Sequence, residues 1–199
     1  MIANSPPTAR LASRRLLEPE DLPRDTLHVF GYGSLLWRPG FSYLRQSKAR
    51  LFGFHRALRV WSVHHRGTAH QPGLVLGLDA GGSCLGSLFE VAASDALETA
   101  RYLWAREMVT SVYVPRLVPV YSYSGECVRA LTFVLDRGHQ QYAGPIAPEH
   151  AVDYVRRAEG VSGPNPEYVR ETHAGLQRLG VHDGNLDQVV RLLDAGRER

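Results

Sequence analysis

A glycine-rich pentapeptide near the beginning of the chain is the first candidate for chemistry. Gly31, Tyr32, Gly33, Ser34 and Leu35 follow one another directly. Glycine lets the backbone turn sharply and approach a ligand closely, and successive N–H groups in such a turn form a concavity that binds anions. The pentapeptide can therefore hold a carboxylate. It can equally be an ordinary turn at the end of a strand, because short glycine motifs recur by chance.

A glutamate near the middle of the chain, Glu107, is the second candidate. It lies in a segment, residues 95–108, whose apolar residues repeat at helical spacing after a good N-cap, Ser94. On the predicted amphipathic helix Glu107 falls at the margin of the apolar face. A carboxylate partly withdrawn from water there has a raised pKa, as a general base working near neutrality needs. The alternative is a structural ion pair of Glu107 with Arg101, Arg106 or another basic residue.

Three histidines, His64, His65 and His70, raise the question of a metal site. Their spacing matches no standard zinc pattern and no cysteine flanks them, so we expect loop histidines and no bound metal. The sequence contains no GxSxG elbow, phosphate-binding loop or dinucleotide fingerprint, and neither Cys84 nor Cys127 lies in a recognisable nucleophile motif. Covalent catalysis is therefore not indicated.

The elements that must position these residues follow from local patterning. Residues 28–33 form a short β-type run that ends in glycines and leads into a loop over residues 34–40. Aromatic and β-branched residues are concentrated within residues 51–63. Residues 74–91 then predict a β-hairpin with its turn at residues 79–82.

The second half of the chain changes from strands to helices. Residues 112–123 and 127–135 predict two strands, and Pro115 and Pro119 restrict the first of them to an edge or bulged position. Three helices follow, with boundaries marked by Pro148 and Gly160, by Asn165 and Gly180, and by Asp194 at the end of the last. Strands first and helices later predict an α+β fold, with a mixed or antiparallel sheet that can curl into a small barrel.

Composition limits the class of protein. The chain has 199 residues, which suits a flexible N-terminal extension over residues 1–26 and one domain over residues 27–199. The formal net charge is only +3, with scattered basic residues, so we expect no nucleic-acid partner. No segment resembles a signal peptide or a membrane span, and two cysteines are too few for a disulfide framework. We therefore expect a cytoplasmic protein with no membrane contact.

Several separate segments together resemble one known family, the ChaC-like, glutathione-specific γ-glutamylcyclotransferases. Any one of these segments is short, but they occur in the family's order and extend over about residues 27 to 195. They are residues 29–39 (VFGYGSLLWRP), 65–68 with 72–73, 102–108 (YLWAREM), 142–145 (YAGP) and 162–168 (SGPNPEY). Similarity of this extent makes a chance match improbable.

The resemblance implies a small β-barrel-like fold surrounded by helices, no cofactor, and Glu107 as the catalytic residue. It implies a lyase that cleaves glutathione to 5-oxoproline and cysteinylglycine, and it places residues 65–67 near the site. The substrate-binding residues that it implies are Tyr32, Gly33, Ser34, Leu35, Arg38 and Tyr168. One departure is visible: glycines often follow the catalytic glutamate in the family, whereas this chain continues with residues 108–113 as MVTSVY. Nothing in the sequence indicates the oligomeric state.

The chemistry of ring closure agrees with these residues. The glutamyl α-amine must lose a proton to attack its own γ-carbonyl, and the departing cysteinyl nitrogen must gain one, so a single carboxylate can serve as base and then acid. The N–H groups of Gly33, Ser34 and Leu35 can hold either the α-carboxylate or the γ-carbonyl oxygen. Two other functions stay open: a cyclotransferase acting on another γ-glutamyl amide, and a non-catalytic glutathione-binding regulator of cation transport.

Overall fold

A closed five-stranded barrel carries the candidate residues. The computed structural model describes residues 17–23 and 25–195. The strands are β1 (Leu27–Gly31), β2 (Arg45–Ser62), β3 (Gly73–Val91), β4 (Tyr113–Ser122) and β5 (Cys127–Leu135), in the spatial order β1-β3-β2-β4-β5. Neighbouring strands are antiparallel except where the barrel closes, at the parallel pairs Val29–Leu131 and Leu78–Val134. The predicted mixed sheet, curled into a barrel, is confirmed.

Four helices surround the barrel. They are α1 (Ala96–Glu107), α2 (Pro148–Arg157), α3 (Asn165–Arg178) and α4 (Gly184–Ala195), and a two-residue pair, β6 (Glu159–Gly160) and β7 (Gly163–Pro164), lies between α2 and α3. All four helices were expected within a few residues of these bounds. None of the helices in the described part of the chain is long and apolar enough to cross a membrane.

The predicted hairpin over residues 74–91 is wrong. These residues form a single long strand, β3, which pairs with β2 along almost its whole length. Gly81 and Gly82 have φ values of 98° and 73°, as a turn would need, but they lie opposite Gly53, whose φ is 85°. Two residues of one strand facing one of the other make a β-bulge, so the glycines bend the strand pair instead of reversing the chain.

The prolines of β4 lie where the sheet tolerates them. β4 pairs with β5 from Tyr113 to Tyr121, but with β2 only over Val120–Ser122. Pro115 and Pro119 therefore precede the stretch that has strands on both sides, and the expected edge position of this segment is confirmed.

Two groups of buried apolar side chains fix the helices on the barrel. Leu103 of α1 packs with Val29, Phe89 and Leu131 of the barrel. Residues of the other three helices pack with a second set that includes Phe30, the neighbour of Val29 in β1. Because adjacent side chains of a strand point to opposite faces, β1 contacts both groups and its end is held between them.

The N-terminal region is described only in part, since residues 1–16 lie outside the described residues. Within residues 17–23, Pro19–Asp21 forms a 3₁₀ turn and Leu22 is buried in the same apolar group as α1. The division of the chain at residue 27 stays a prediction.

Asp79 carries a buried charge in β3. Its side chain is fully buried and accepts hydrogen bonds from Arg59, Arg137, the Tyr142 hydroxyl at 2.9 Å and the Ala80 N–H at 2.8 Å. Burial alone raises the pKa of Asp79, but these donors outweigh it and lower the pKa to about 2. The network therefore joins β2 and β3 to the chain that follows β5.

We expect Asp79→Asn to lower the free energy of unfolding by about 2 kcal/mol at pH 7, since one pKa unit corresponds to about 1.4 kcal/mol. The folded pKa lies below the ordinary value of 3.8, so this contribution is complete above pH 3.8 and is lost as the pH falls towards 2. Urea unfolding of both proteins between pH 7 and pH 2.5 measures the difference. Asp153→Asn, on the exposed side of α2, is the control. A difference that stays constant with pH would contradict the assignment.

Candidate active site

A cavity of about 340 Å³ opens between the end of β1, the end of β2, the last turn of α1 and the beginning of β4. The seven residues expected in the site all line it: Tyr32, Gly33, Ser34, Leu35, Arg38, Glu107 and Tyr168. These residues come from three distant parts of the sequence, so the barrel has to close before the cavity exists.

The glycine-rich segment makes a tight turn immediately after β1. Ser34–Leu36 is a 3₁₀ turn, in which the Leu36 N–H donates to the Gly33 carbonyl at 3.0 Å and the Arg38 N–H donates to the Ser34 carbonyl at 2.8 Å. The N–H groups of Ser34 and Leu35, as the first in the turn, have no acceptor within it. They are therefore free to bind a ligand at the cavity wall.

The two glycines of this segment have different physical roles. A methyl group at Gly31 would lie only 2.9 Å from Cβ of Leu35 and 3.0 Å from the Phe89 ring, so Gly31 permits close packing of the turn on β3. Gly33 has a φ of −128°, which is outside the left-handed region. A methyl group there would lie 3.4 Å from the Tyr168 hydroxyl, so Gly33 keeps the cavity open beside that hydroxyl.

Glu107 is the last residue of α1 and faces the cavity, with 18% of its side chain exposed. Burial raises the pKa of its carboxyl, and the positive charge of Arg106 opposes this only in part. Arg106 Nε lies 3.2 Å from Glu107 Oε1, and within the described residues no group donates a hydrogen bond to the carboxylate. The ion pair with Arg106 that the sequence suggested is therefore present, and the Glu107 oxygens remain available to a ligand, while its role as general base stays a prediction.

Arg101, the other basic residue considered as a partner of Glu107, lies elsewhere. Its guanidinium pairs with the exposed Glu20 at 3.1 Å. Among the residues that line the cavity, Glu107 is the only acidic one.

Two buried tyrosines, Tyr32 and Tyr168, and the partly buried Tyr113 line the inner wall, and their protons are used differently. The Tyr32 hydroxyl donates to the Phe133 carbonyl at 2.9 Å, and the Tyr113 hydroxyl donates to the Leu76 carbonyl at 2.7 Å. The Tyr168 hydroxyl instead accepts from the Leu76 N–H at 3.1 Å. Its own proton has no acceptor among the described residues, so it can be donated into the cavity.

Burial raises the pKa of Tyr168 to about 12, with a smaller contribution in the same direction from the negative charge of Glu107. The hydroxyl therefore stays protonated near neutrality and can act as a hydrogen-bond donor. Tyr113, which shares Leu76 with Tyr168, was missed by the sequence reasoning. The available signal was its place near the start of the predicted strand over residues 112–123, where it is the first residue of β4.

Two arginines at the cavity differ in what they contact. Arg66 is 5% exposed and donates to the Pro164 carbonyl at 3.1 Å, with the Tyr168 ring 5.8 Å from its guanidinium carbon. Arg38 is exposed at the cavity mouth, and its guanidinium has no polar partner among the described residues. Arg38 is therefore the cation that remains free for a ligand.

Two of the three histidines lie at the cavity. His64 and His65 line it, and the His65 ring is hydrogen-bonded to the Ser162 hydroxyl at 2.9 Å, whereas His70 is not part of the wall. Burial, together with the nearby charges of His64, Arg106 and Arg66, lowers the pKa of His65. In the described part of the chain no three His, Cys, Asp or Glu side chains come together as a metal site would require.

Comparison with known proteins gives a consistent match. A family model described as ChaC-like protein matches residues 27–195. The glutathione-specific γ-glutamylcyclotransferase of Escherichia coli is 31% identical over 182 residues, which cover 92% of this chain and 78% of that protein. The human glutathione-specific γ-glutamylcyclotransferase 1 is 32% identical over 194 residues, covering 94% of this chain and 87% of that protein.

The fold is shared with a solved structure. A yeast γ-glutamylcyclotransferase specific to glutathione superposes with a TM-score of 0.78 and 20% sequence identity, over 86% of this chain and 96% of the yeast chain. At this identity the similarity concerns the arrangement of the barrel and helices.

Proposed function

The chain belongs to the ChaC-like protein family, and we propose that it is a glutathione-specific γ-glutamylcyclotransferase that releases 5-oxoproline and cysteinylglycine. The observation that carries this proposal is the position of Glu107. Of the described residues it is the single acidic one in the cavity wall, its pKa is raised, and none of them donates a hydrogen bond to its oxygens. These are the properties of a general base that works near neutrality.

The proposed reaction needs no bound cofactor and no water. Glu107 takes a proton from the glutamyl α-ammonium, and the α-nitrogen attacks the γ-carbonyl carbon. As the new C–N bond closes the five-membered ring, the bond from the γ-carbon to the cysteinyl nitrogen breaks. Glu107 then returns its proton to that nitrogen, so one carboxylate acts as base and acid in turn. The α-nitrogen loses its second proton as it becomes the ring amide, and the released cysteinyl amine takes up one proton to leave as the ammonium ion.

The glycine turn, the name used here for residues 33–36, and Tyr168 are proposed to bind the glutamyl part of glutathione. The N–H groups of Gly33, Ser34 and Leu35 and the free hydroxyl proton of Tyr168 border the same space. Between them these donors can hold the α-carboxylate and the γ-carbonyl oxygen, on which negative charge develops during attack. The side chains of Tyr32 and Leu35 are buried, so they shape the wall that orients the glutamyl chain.

Arg38 is proposed to bind the glycine carboxylate of glutathione. Its backbone is fixed in the site, because its N–H donates to the Ser34 carbonyl and its carbonyl accepts from Arg106 at 2.7 Å, while its guanidinium at the mouth has no polar partner in the described part of the chain. The dipeptide beyond the scissile bond extends about 7 Å, so its carboxylate lies well away from the reacting carbonyl. Arg66 is a poorer candidate because its guanidinium already has protein partners.

The two alternatives make different demands on the same cavity. A cyclotransferase for another γ-glutamyl amide would use Glu107 identically but would not need Arg38. A non-catalytic regulator would bind glutathione without turnover.

We place the protein in the cytoplasm, which agrees with two unpaired cysteines, Cys84 and Cys127, and we propose no nucleic-acid or membrane partner.

We expect Glu107→Gln to bind glutathione and to lose about 10²- to 10⁴-fold in kcat, because the amide keeps the shape of the side chain but accepts no proton. The measurement is 5-oxoproline formation by mass spectrometry at saturating glutathione, with binding followed by calorimetry. Glu98→Gln, an exposed substitution in the same helix, is the control. A Glu107→Gln protein within threefold of the parent would mean that another group is the base.

Glutathione acetylated on the glutamyl α-nitrogen should not be cleaved, although its γ-amide is intact, because the attacking group is blocked. A hydrolase would still supply water to the same bond. The reaction is followed by the release of cysteinylglycine, and competition with glutathione checks that the acetylated compound reaches the site. Cleavage of the acetylated compound, or free glutamate as first product, would replace the cyclotransferase with an amidase.

We expect Arg38→Gln to lower kcat/KM for glutathione about 10-fold, as loss of a charge-assisted hydrogen bond at an exposed site would. With the glycyl ethyl ester of glutathione, which lacks that carboxylate, parent and variant should differ by less than twofold. Arg116→Gln, an exposed arginine of β4 outside the cavity, is the matched control. An equal loss with both substrates would remove Arg38 from recognition of the glycine end.

A further inference from the structure

The guanidinium of Arg106 joins the base to the glycine turn. Its Nε lies 3.2 Å from Glu107 Oε1, and its Nη2 donates to the Ser34 hydroxyl at 2.8 Å. Its Nη1 donates to the carbonyls of Arg38 and Pro39 at 2.7 and 3.1 Å. One side chain thus contacts the general base and three residues of the segment that follows β1.

A further hydrogen bond fixes the position of the Arg106 guanidinium. Arg106 Nη1 also donates to the Tyr102 hydroxyl at 2.8 Å. Gly40 has a φ of 77°, and a methyl group there would lie 2.0 Å from that hydroxyl. Gly40 therefore lies in direct contact with the Tyr102 hydroxyl. The contacts of Tyr102 and Arg106 together hold the C-terminal part of α1 against the loop over residues 34–40.

The proposed reaction requires the relative position of base and turn that these contacts fix. The base must lie at a set distance from the α-ammonium while the turn binds the rest of the glutamyl group. Glu107 is at the end of a helix and the turn is at the end of a strand, so their relative position is not fixed by either element. An error of about 1 Å in such a geometry can cost about 100-fold in rate.

We propose that Arg106 is a positioning residue that ties the Glu107 carboxylate to the glycine turn, so that base and substrate-binding amides keep one relative geometry. This inference rests on the proposed function. Arg106 acts through Glu107 and Ser34, and its N–H groups are directed to protein acceptors, so it is not assigned to substrate. It also supplies a positive charge that opposes the effect of burial on the pKa of Glu107.

Other ionisable groups around the cavity have to be separated from this effect. Those that line it, besides Arg106 and Glu107, are Tyr32, Arg38, His64, His65, Arg66, Tyr102, Tyr113 and Tyr168. The pKa of His65 is lowered by burial and, to a smaller extent, by nearby positive charges that include Arg106. A His65→Asn background therefore removes a histidine whose pKa also depends on Arg106, while Tyr168, which feels the same charge, titrates far above neutrality.

Two substitutions divide the charge of Arg106 from its geometry. Arg106→Gln should lower kcat for glutathione about 10- to 100-fold and move the acidic limb of the kcat/KM profile to higher pH, because the pKa of Glu107 rises without the neighbouring cation. Arg106→Lys keeps the charge but cannot reach the same acceptors, so it should lose similarly in kcat and leave the limb in place. Arg101→Gln, one turn earlier in α1, should change neither.

A direct titration keeps this test independent of turnover. The ¹³C-carboxyl signal of Glu107, assigned by its loss in Glu107→Gln, reports the pKa of the folded parent and variants in the His65→Asn background. An upward shift in Arg106→Gln but not in Arg106→Lys supports the proposal even if glutathione proves not to be the substrate. Equal pKa values in the parent and Arg106→Gln, or a full kcat in a folded Arg106→Lys protein, would overturn it.

Discussion

The candidate site depends on one carboxylate at the cavity wall that has a cation beside it but accepts no hydrogen bond from the described residues. Glu107 has a cation beside it, which limits how far burial raises its pKa, yet no hydrogen bond from the described residues engages its oxygens. A fully paired carboxylate would have a lowered pKa and a weak affinity for a substrate proton, whereas in an isolated one burial would raise the pKa further. The Glu107 carboxylate lies between these limits, because Arg106 donates most of its N–H groups to the Ser34 hydroxyl and to the carbonyls of Arg38 and Pro39.

Closure of the barrel makes this arrangement possible. The parallel pairs between β5 and the strands β1 and β3 bring Phe133 beneath Tyr32, whose hydroxyl donates to the Phe133 carbonyl. The Thr132 hydroxyl likewise donates to the Phe30 carbonyl at 3.0 Å. Both bonds fix the end of β1 just before the glycine turn. The opposite wall is fixed by Leu76, whose N–H and carbonyl are each bound by a tyrosine hydroxyl.

Sequence reasoning found what depends on local pattern. The helix carrying Glu107, the turn after β1 and the α+β class follow from periodicity and glycine placement, while the placement of Tyr168 and Arg38 at the site came from the resemblance. The predicted N-cap Ser94 is wrong, because α1 is capped by Asp95 without a side-chain hydrogen bond. The hairpin in β3 was wrong because Gly81 and Gly82 specify positive φ but do not tell a bulge from a reversal. Arg106 was considered only as an ion-pair partner, since its contacts with the loop over residues 34–40 exist only after the barrel has formed.

The segment after Glu107 shows how one departure from the family pattern is accommodated. The resemblance led us to expect glycines here, whereas residues 108–113 contain none, and Val109, Thr110 and Val112 line the cavity. Ser111 has a φ of 58°, and it is the one non-glycine residue with positive φ among the described residues. This left-handed conformation costs roughly 1–2 kcal/mol for a residue with a side chain. Burial of Val112, which precedes β4, opposes that cost, so the backbone makes at Ser111 a turn that glycine would make without strain.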